Sequence, residues 1–119
     1  MYTKSLRRNY LTLKDEIIKS VLSYIGLATK GGNVVSGEFS TEKAIKENAA
    51  KLVIVATDAS DNTKKMFRNM CSYREIALYE FATKEVLGHT MGKRYRASLA
   101  IIDEGLANII EKRLRQEDE

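Results

Sequence analysis

Apolar residues early in the chain recur at three- and four-residue spacing. Ile17, Val21, Leu22, Ile25 and Ala28 share one side of a helix written across "TLKDEIIKSVLSYIGLATKGG". Thr12 stands where a helix cap belongs, and Gly31 and Gly32 stand where the helix should stop. The pattern then shortens to a strand, "NVVSG", and returns to helical spacing over "EFSTEKAIKENA", residues 38–49, with Ala44, Ile45 and Ala49 on the core side. "KLVIVATD", 51–58, is an unbroken β-branched apolar run of the kind covered on both faces of a sheet. "ASDNTKKMFRNMCSY" opens with capping residues and carries Met66, Phe67 and Met70 in helical register. A strand "EIALYEFA" (75–82), a short helix "TKEVLGHTMG" (83–92) and a strand "RASLAIID" (96–103) follow. The last helix, "EGLANIIEKRLRQ", places Leu106, Ile109, Ile110 and Leu114 on one side.

Strands and helices alternate with connections of a few residues, and no repeat, linker or low-complexity segment interrupts them. This predicts an α/β fold: a three-layer α-β-α sandwich around a mixed four-stranded sheet. The 119 residues form a single domain, with 1–11 as a loosely ordered basic leader and 116–119 as an acidic tail.

Composition is that of a globular chain, with 44% hydrophobic and 30% charged residues. No apolar run is long enough to cross a bilayer, and the basic N-terminus lacks the apolar core of a secretory signal. The lone Cys71 excludes an internal disulfide and leaves the redox compartment open, with the cytoplasm favoured; it reads as a buried structural thiol rather than a reactive one. A net charge of +4 leans towards polyanionic partners without specifying one.

Catalytic chemistry finds little material. The single His89 and single Cys71 supply neither a triad nor ligand-type spacing, and phosphate-binding and dinucleotide fingerprints are absent. Asp58 and Asp103 each follow an apolar strand, where α/β proteins often place their sites. The plain reading is that each caps the helix after it; a small enzyme built on the two carboxylates is the rival.

Two clusters point to nucleic acid. In "SGEFSTEK", Gly37 sits at a helix mouth, whose free N–H groups and dipole favour phosphate. Phe39 and Ser40 lie four and three residues before Lys43, so the three share a face suited to a phosphate and a base. The alternative is that Phe39 packs into the core and Lys43 is simply solvated. In "GKRYRAS", Lys93, Arg94 and Arg96 surround Tyr95, a basic–aromatic mixture that fits nucleic-acid contact or merely a solubilising loop. Lys64, Lys65 and Arg68 read as the wet face of their helix.

"SGEFSTEKAIKENAAKLVIVATDAS", then "LGHTMG" and "ASLAIIDEG", resemble in this order the ribosomal protein L7Ae/L30e family, closest to its small bacterial YlxQ-like branch. The resemblance covers about residues 22–112, and "DASDNTKK" after "KLVIVATD" is its most specific part. It implies a non-enzymatic, cofactor-free RNA-binding protein whose partner is structured RNA, ribosomal RNA or the ribosome, with no membrane or small-molecule substrate. Well-known members bind kink-turns through the turn before the second helix, that helix's N-terminal half, and the loop before the last strand. Carried over, these are Gly37, Glu38, Phe39, Ser40 and Lys43, with Lys93, Arg94, Tyr95 and Arg96. Archaeal and eukaryotic members have Asn and Glu where this chain has Phe39 and Ser40, so its base readout is altered. A protein-interaction adaptor on the same fold, with Phe39 as interface anchor, is the alternative function.

Overall fold

The computed structural model describes the backbone of residues 2–118 and the side chains of residues 12–117. Among them the order is α1 (Tyr2–Lys30), β1 (Val34–Ser36), α2 (Glu38–Lys46), β2 (Leu52–Val55), α3 (Asp61–Tyr73), β3 (Leu78–Glu80), α4 (Lys84–Thr90), β4 (Ser98–Ile101) and α5 (Glu104–Asp118). The sheet order is β1-β4-β2-β3. β4 runs antiparallel to both β1 and β2, whereas β2 and β3 are parallel, so the sheet is mixed as expected. Helices α2 and α3 pack on one face, and α1, α4 and α5 form the other layer.

All four residues of β2 and all four of β4 are buried, because these central strands are covered from both sides. Val21, Ile25 and Ala28 of α1, Ile45 of α2, Phe67 of α3 and Ile110 and Leu114 of α5 close the core over them. Each large side chain removed from water contributes roughly 1.5–3 kcal/mol. Ile109 was expected on the core side of α5 but is exposed, and Ala107 is buried instead. Residues 107, 110 and 114 repeat at helical spacing, and position 109 lies to the side of that stripe.

Element ends depart from the sequence pattern for local reasons. Helix α1 does not start at Thr12 but runs continuously from Tyr2, so the leader's backbone belongs to the helix; Met1 and the tail residue Glu119 lie outside the described residues. It ends as foreseen: Gly32 has a positive φ of 74°, and the Asn33 N–H returns to the Ala28 carbonyl at 2.8 Å. Helix α2 stops at Lys46 rather than Ala49. Asn48 turns left-handed at φ 60°, letting the Ala49 N–H close on the Ala44 carbonyl at 2.9 Å. Glu75, with φ 55°, ends α3 in the same way and delays β3 to Leu78.

Candidate nucleic-acid interface

Pairing of β1 with β4 brings the two basic clusters together. Ser36 lies opposite Leu99, so the turn leaving β1 and the loop entering β4 meet at one edge of the sheet. The Gly37 N–H donates to the Ser98 carbonyl at 3.0 Å, and the Arg96 Nε donates to the Ser36 Oγ at 3.0 Å. The Arg96 Nη1 also reaches the Tyr95 carbonyl at 2.8 Å. Arg96 thus acts as the clasp between the clusters and is only partly exposed.

Gly37 adopts φ 92° and ψ 159°, a conformation that L side chains rarely occupy, and it opens α2 without a side-chain cap. Its carbonyl accepts the Thr41 N–H at 2.9 Å, which leaves the first-turn N–H groups directed outwards. Buried Thr41 fixes the mouth from beneath, its hydroxyl accepting from the Ser98 Oγ at 3.2 Å. Glu38 is exposed in the first turn, where its carboxylate complements the helix dipole but opposes a phosphate, so its useful donor is its main-chain N–H.

Phe39 is not in the core: it is 77% exposed. With Glu42, Lys43, Lys46 and Glu47 it lines a shallow hollow of about 310 Å³. The salt bridge from Lys46 to Glu42, at 3.0 Å, neutralises one cation of this face. Lys43 is exposed, and among the described residues no carboxylate pairs with it. Ser40 is partly exposed beside them.

Lys93 and Arg94 are exposed, and the Arg94 guanidinium lies 5.5 Å from the centre of the Tyr95 ring. Tyr95, 53% exposed, therefore offers a ring that already carries a cation on one side. Beneath the loop is a residue that residue-by-residue reading passed over. Gly88 of α4 is buried, and a Cβ there would come within 2.7 Å of the Arg94 carbonyl carbon and oxygen and 2.8 Å of the Tyr95 Cα. The Lys93 N–H also donates to the Gly88 carbonyl at 2.7 Å. The only sequence signal was a glycine inside a short helix, which costs helix stability unless something packs on it.

The strand-end carboxylates are structural. Asp103 caps α5, its Oδ2 accepting the Leu106 N–H at 2.9 Å. Asp58 does not cap the helix that follows it; Ser60 does, accepting the Thr63 N–H at 3.1 Å. The Asp58 Oδ1 instead takes the Lys84 N–H at 2.8 Å, which ties the start of α4 to the end of β2. Lys64 and Arg68 are likewise more than wet: both ion-pair with Glu80 of β3, at 3.2 and 3.1 Å. His89 is exposed on α4. Among the described residues no group of His, Cys, Asp and Glu is arranged to hold a metal ion, and no helix is long and apolar enough to cross a membrane.

A family model, the ribosomal protein L7Ae/L30e/S12e/Gadd45 family, matches residues 19–111. The chain belongs to this family. Among L7Ae-type relatives, the RNA-binding protein YlxQ of Bacillus subtilis is 39% identical over 84 residues, covering 71% of this chain and 84% of that one. YlxQ of Enterococcus faecium is 36% identical and covers 75% and 85%. The large ribosomal subunit protein eL30 of Methanoregula boonei is 34% identical, covering 70% and 84%. Of solved structures, a protein of unknown function from Bacillus halodurans C superposes with a TM-score of 0.77 at 28% identity, over 83% of this chain and 97% of that one. The L7Ae-type match spans the whole mixed sheet and the turn–helix and loop that share its edge. Residues 1–18 precede the part of the chain that the family model matches.

Proposed function

We propose that this protein binds structured RNA without catalysing a reaction, in the cytoplasm, with ribosomal RNA or the ribosome as its setting. The observation that carries this reading is the joining of two basic–aromatic clusters at one sheet edge through Arg96 and Ser36. The relatives' names, RNA-binding protein YlxQ and ribosomal protein eL30, support it from outside.

In this reading phosphate rests on the open first turn of α2 and on Lys43, where main-chain donors, dipole and ammonium act together. Phe39 has no polar side-chain atom, so it stacks on or seats a base rather than reading its edge. Ser40 donates a hydroxyl beside it. Lys93 and Arg94 hold a second strand, with Tyr95 as a stacking surface. Arg96 serves this face by positioning the loop. A kink-turn, the RNA bound by well-known members of the family, is the structured RNA against which this reading is set.

The test is a titration against a kink-turn RNA, a matched straight duplex and a simple loop, at low and moderate salt, with Lys43→Ala in parallel. Selective kink-turn binding is expected, weakened about tenfold or more by Lys43→Ala, as loss of a charge-assisted contact costs roughly 1.5–3 kcal/mol. Equal weak binding to all three RNAs that vanishes with salt would leave only a basic surface and sink the selective reading. The exposure of Phe39 favours a second reading, an adaptor with Phe39 as interface anchor. A salt-insensitive protein partner lost on Phe39→Ala, with no RNA bound, would establish that one instead.

A further inference from the structure

Among the described residues, those of α1 that pack against the core begin at Ile18. The C-terminal end of this helix lies at one edge, where Asn33 turns into β1 and its carbonyl accepts the Ile102 N–H at 2.9 Å. Ile18 and Leu22 lie at the other edge, lining a groove with Thr57, Phe81 and Thr83, just past the ends of β2 and β3. That second edge is the one where Gly37 and the 93–96 loop meet. Helix α1 therefore leaves the body on the side of the proposed RNA face. From Ile18 back to Tyr2 are sixteen residues, about 24 Å of helix at 1.5 Å per residue. The molecule is correspondingly elongated, 53 Å against 29 and 26 Å.

A continuous line of packing links this helix to the loop. Gly26 of α1 abuts the Thr90 carbonyl of α4, and Gly88 of α4 seats Arg94 and Tyr95. Helix α5 is described as far as Asp118, and Lys14 reaches the main-chain carbonyl of Glu117 beside it. Residues 1–14 contain Lys4, Arg7, Arg8 and Lys14 and no acid, with Tyr2 and Tyr10 among them. Arg8 is six residues beyond Lys14, about 9 Å along the helix, which is about one screening length at physiological salt.

We propose that the N-terminal extension of α1 is a second RNA-binding element, an arm whose Lys4, Arg7 and Arg8 take phosphates of the RNA already held at the helix mouth and loop. Its ligand is the phosphodiester backbone of a stem leaving the recognised structure, read for charge and not for sequence. This inference rests on the RNA-binding reading above. It adds a contact surface that precedes the family-matched part of the chain.

The experiment uses the full chain and a kink-turn RNA with either a short stem or a stem one helical turn longer. Three proteins are compared across a salt series: the wild type, the triple variant Lys4→Gln, Arg7→Gln, Arg8→Gln, and Lys43→Ala. Sedimentation velocity of each protein without RNA is recorded alongside. Wild type is expected to gain roughly tenfold from the longer stem, and the triple variant to lose this gain with a log–log salt slope shallower by about two to three. Arg7→Lys with Arg8→Lys, which keeps both charges, retains the gain. Identical stem-length dependence and salt slope in wild type and triple variant would overturn the arm, even if Lys43→Ala still weakens binding. A change in self-association of the triple variant with unchanged RNA binding would overturn it too, and assign the extension to contact between two copies. If the wild type binds neither RNA, the RNA-binding reading fails and the arm with it.

Discussion

At the scale of single residues, chemistry here depends on what surrounds a group more than on what the group is. Phe39 and Phe67 share a side chain, but one is 77% exposed at a helix mouth and the other is fully buried under β2 and β3. Cys71 shows the same dependence for a reactive group. Burial in α3 pushes its thiol from 9.0 up to about 11, with the Arg74 charge pulling the other way. The thiolate is the reacting species. Folded protein at pH 8 is therefore expected to resist alkylation, with modification following denaturant unfolding; rapid labelling of native protein, followed by mass spectrometry, would contradict this placement. The contribution of the shift has a definite sign. A thiol pKa raised by folding favours the native state at low pH, and that advantage fades as pH rises towards the folded value.

At the scale of elements, the decisive object is the seat that α4 gives to the 93–96 loop. Main-chain atoms of Arg94 and Tyr95 occupy the space that a Cβ on residue 88 would need. A backbone segment cannot yield as the end of a flexible side chain can. Gly88→Ala should cost about 1–3 kcal/mol of stability through overpacking. It should also lower RNA affinity by displacing the loop, while circular dichroism stays close to wild type. Unchanged affinity with the fold intact would mean that the loop does not contribute to binding. The clasp by Arg96 belongs to this scale as well, because it joins two elements sixty residues apart in sequence.

At the scale of the whole molecule, the edge strand β3 is held by charge as well as by its pairing to β2. Hydrogen bonding from Lys64, and with it Arg68, keeps the Glu80 carboxyl below its ordinary 4.5 despite some desolvation. A carboxyl whose folded pKa is depressed adds stability that is fully present above about 4.5 and is lost as pH falls through the folded value. Global unfolding by urea should therefore show wild-type stability declining over that acid range, with Glu80→Gln lacking this component. The same pH dependence in wild type and Glu80→Gln would show that the triad is screened out in solution.

What the sequence determined by itself was whatever rests on local pattern. The four strands, the helices between them, the cap that Asp103 gives to α5 and the ending of α1 at Gly32 follow from periodicity and backbone preference. Gly37, Phe39, Lys43 and Arg94 could be singled out as candidates from the sequence, as a glycine, an aromatic and basic residues gathered at a helix mouth or loop, but the pattern left core packing of Phe39 open. Whether Phe39 was buried, which helix Asp58 caps, how Gly88 admits the loop and that Arg96 binds Ser36 were decided only by tertiary structure. Each depends on a neighbour distant in the chain, and strand pairing alone chooses that neighbour. The local pattern of α2 is compatible with Phe39 facing either way. Only the placement of β1 beside β4 determines which face of that helix meets the sheet and which is left to solvent.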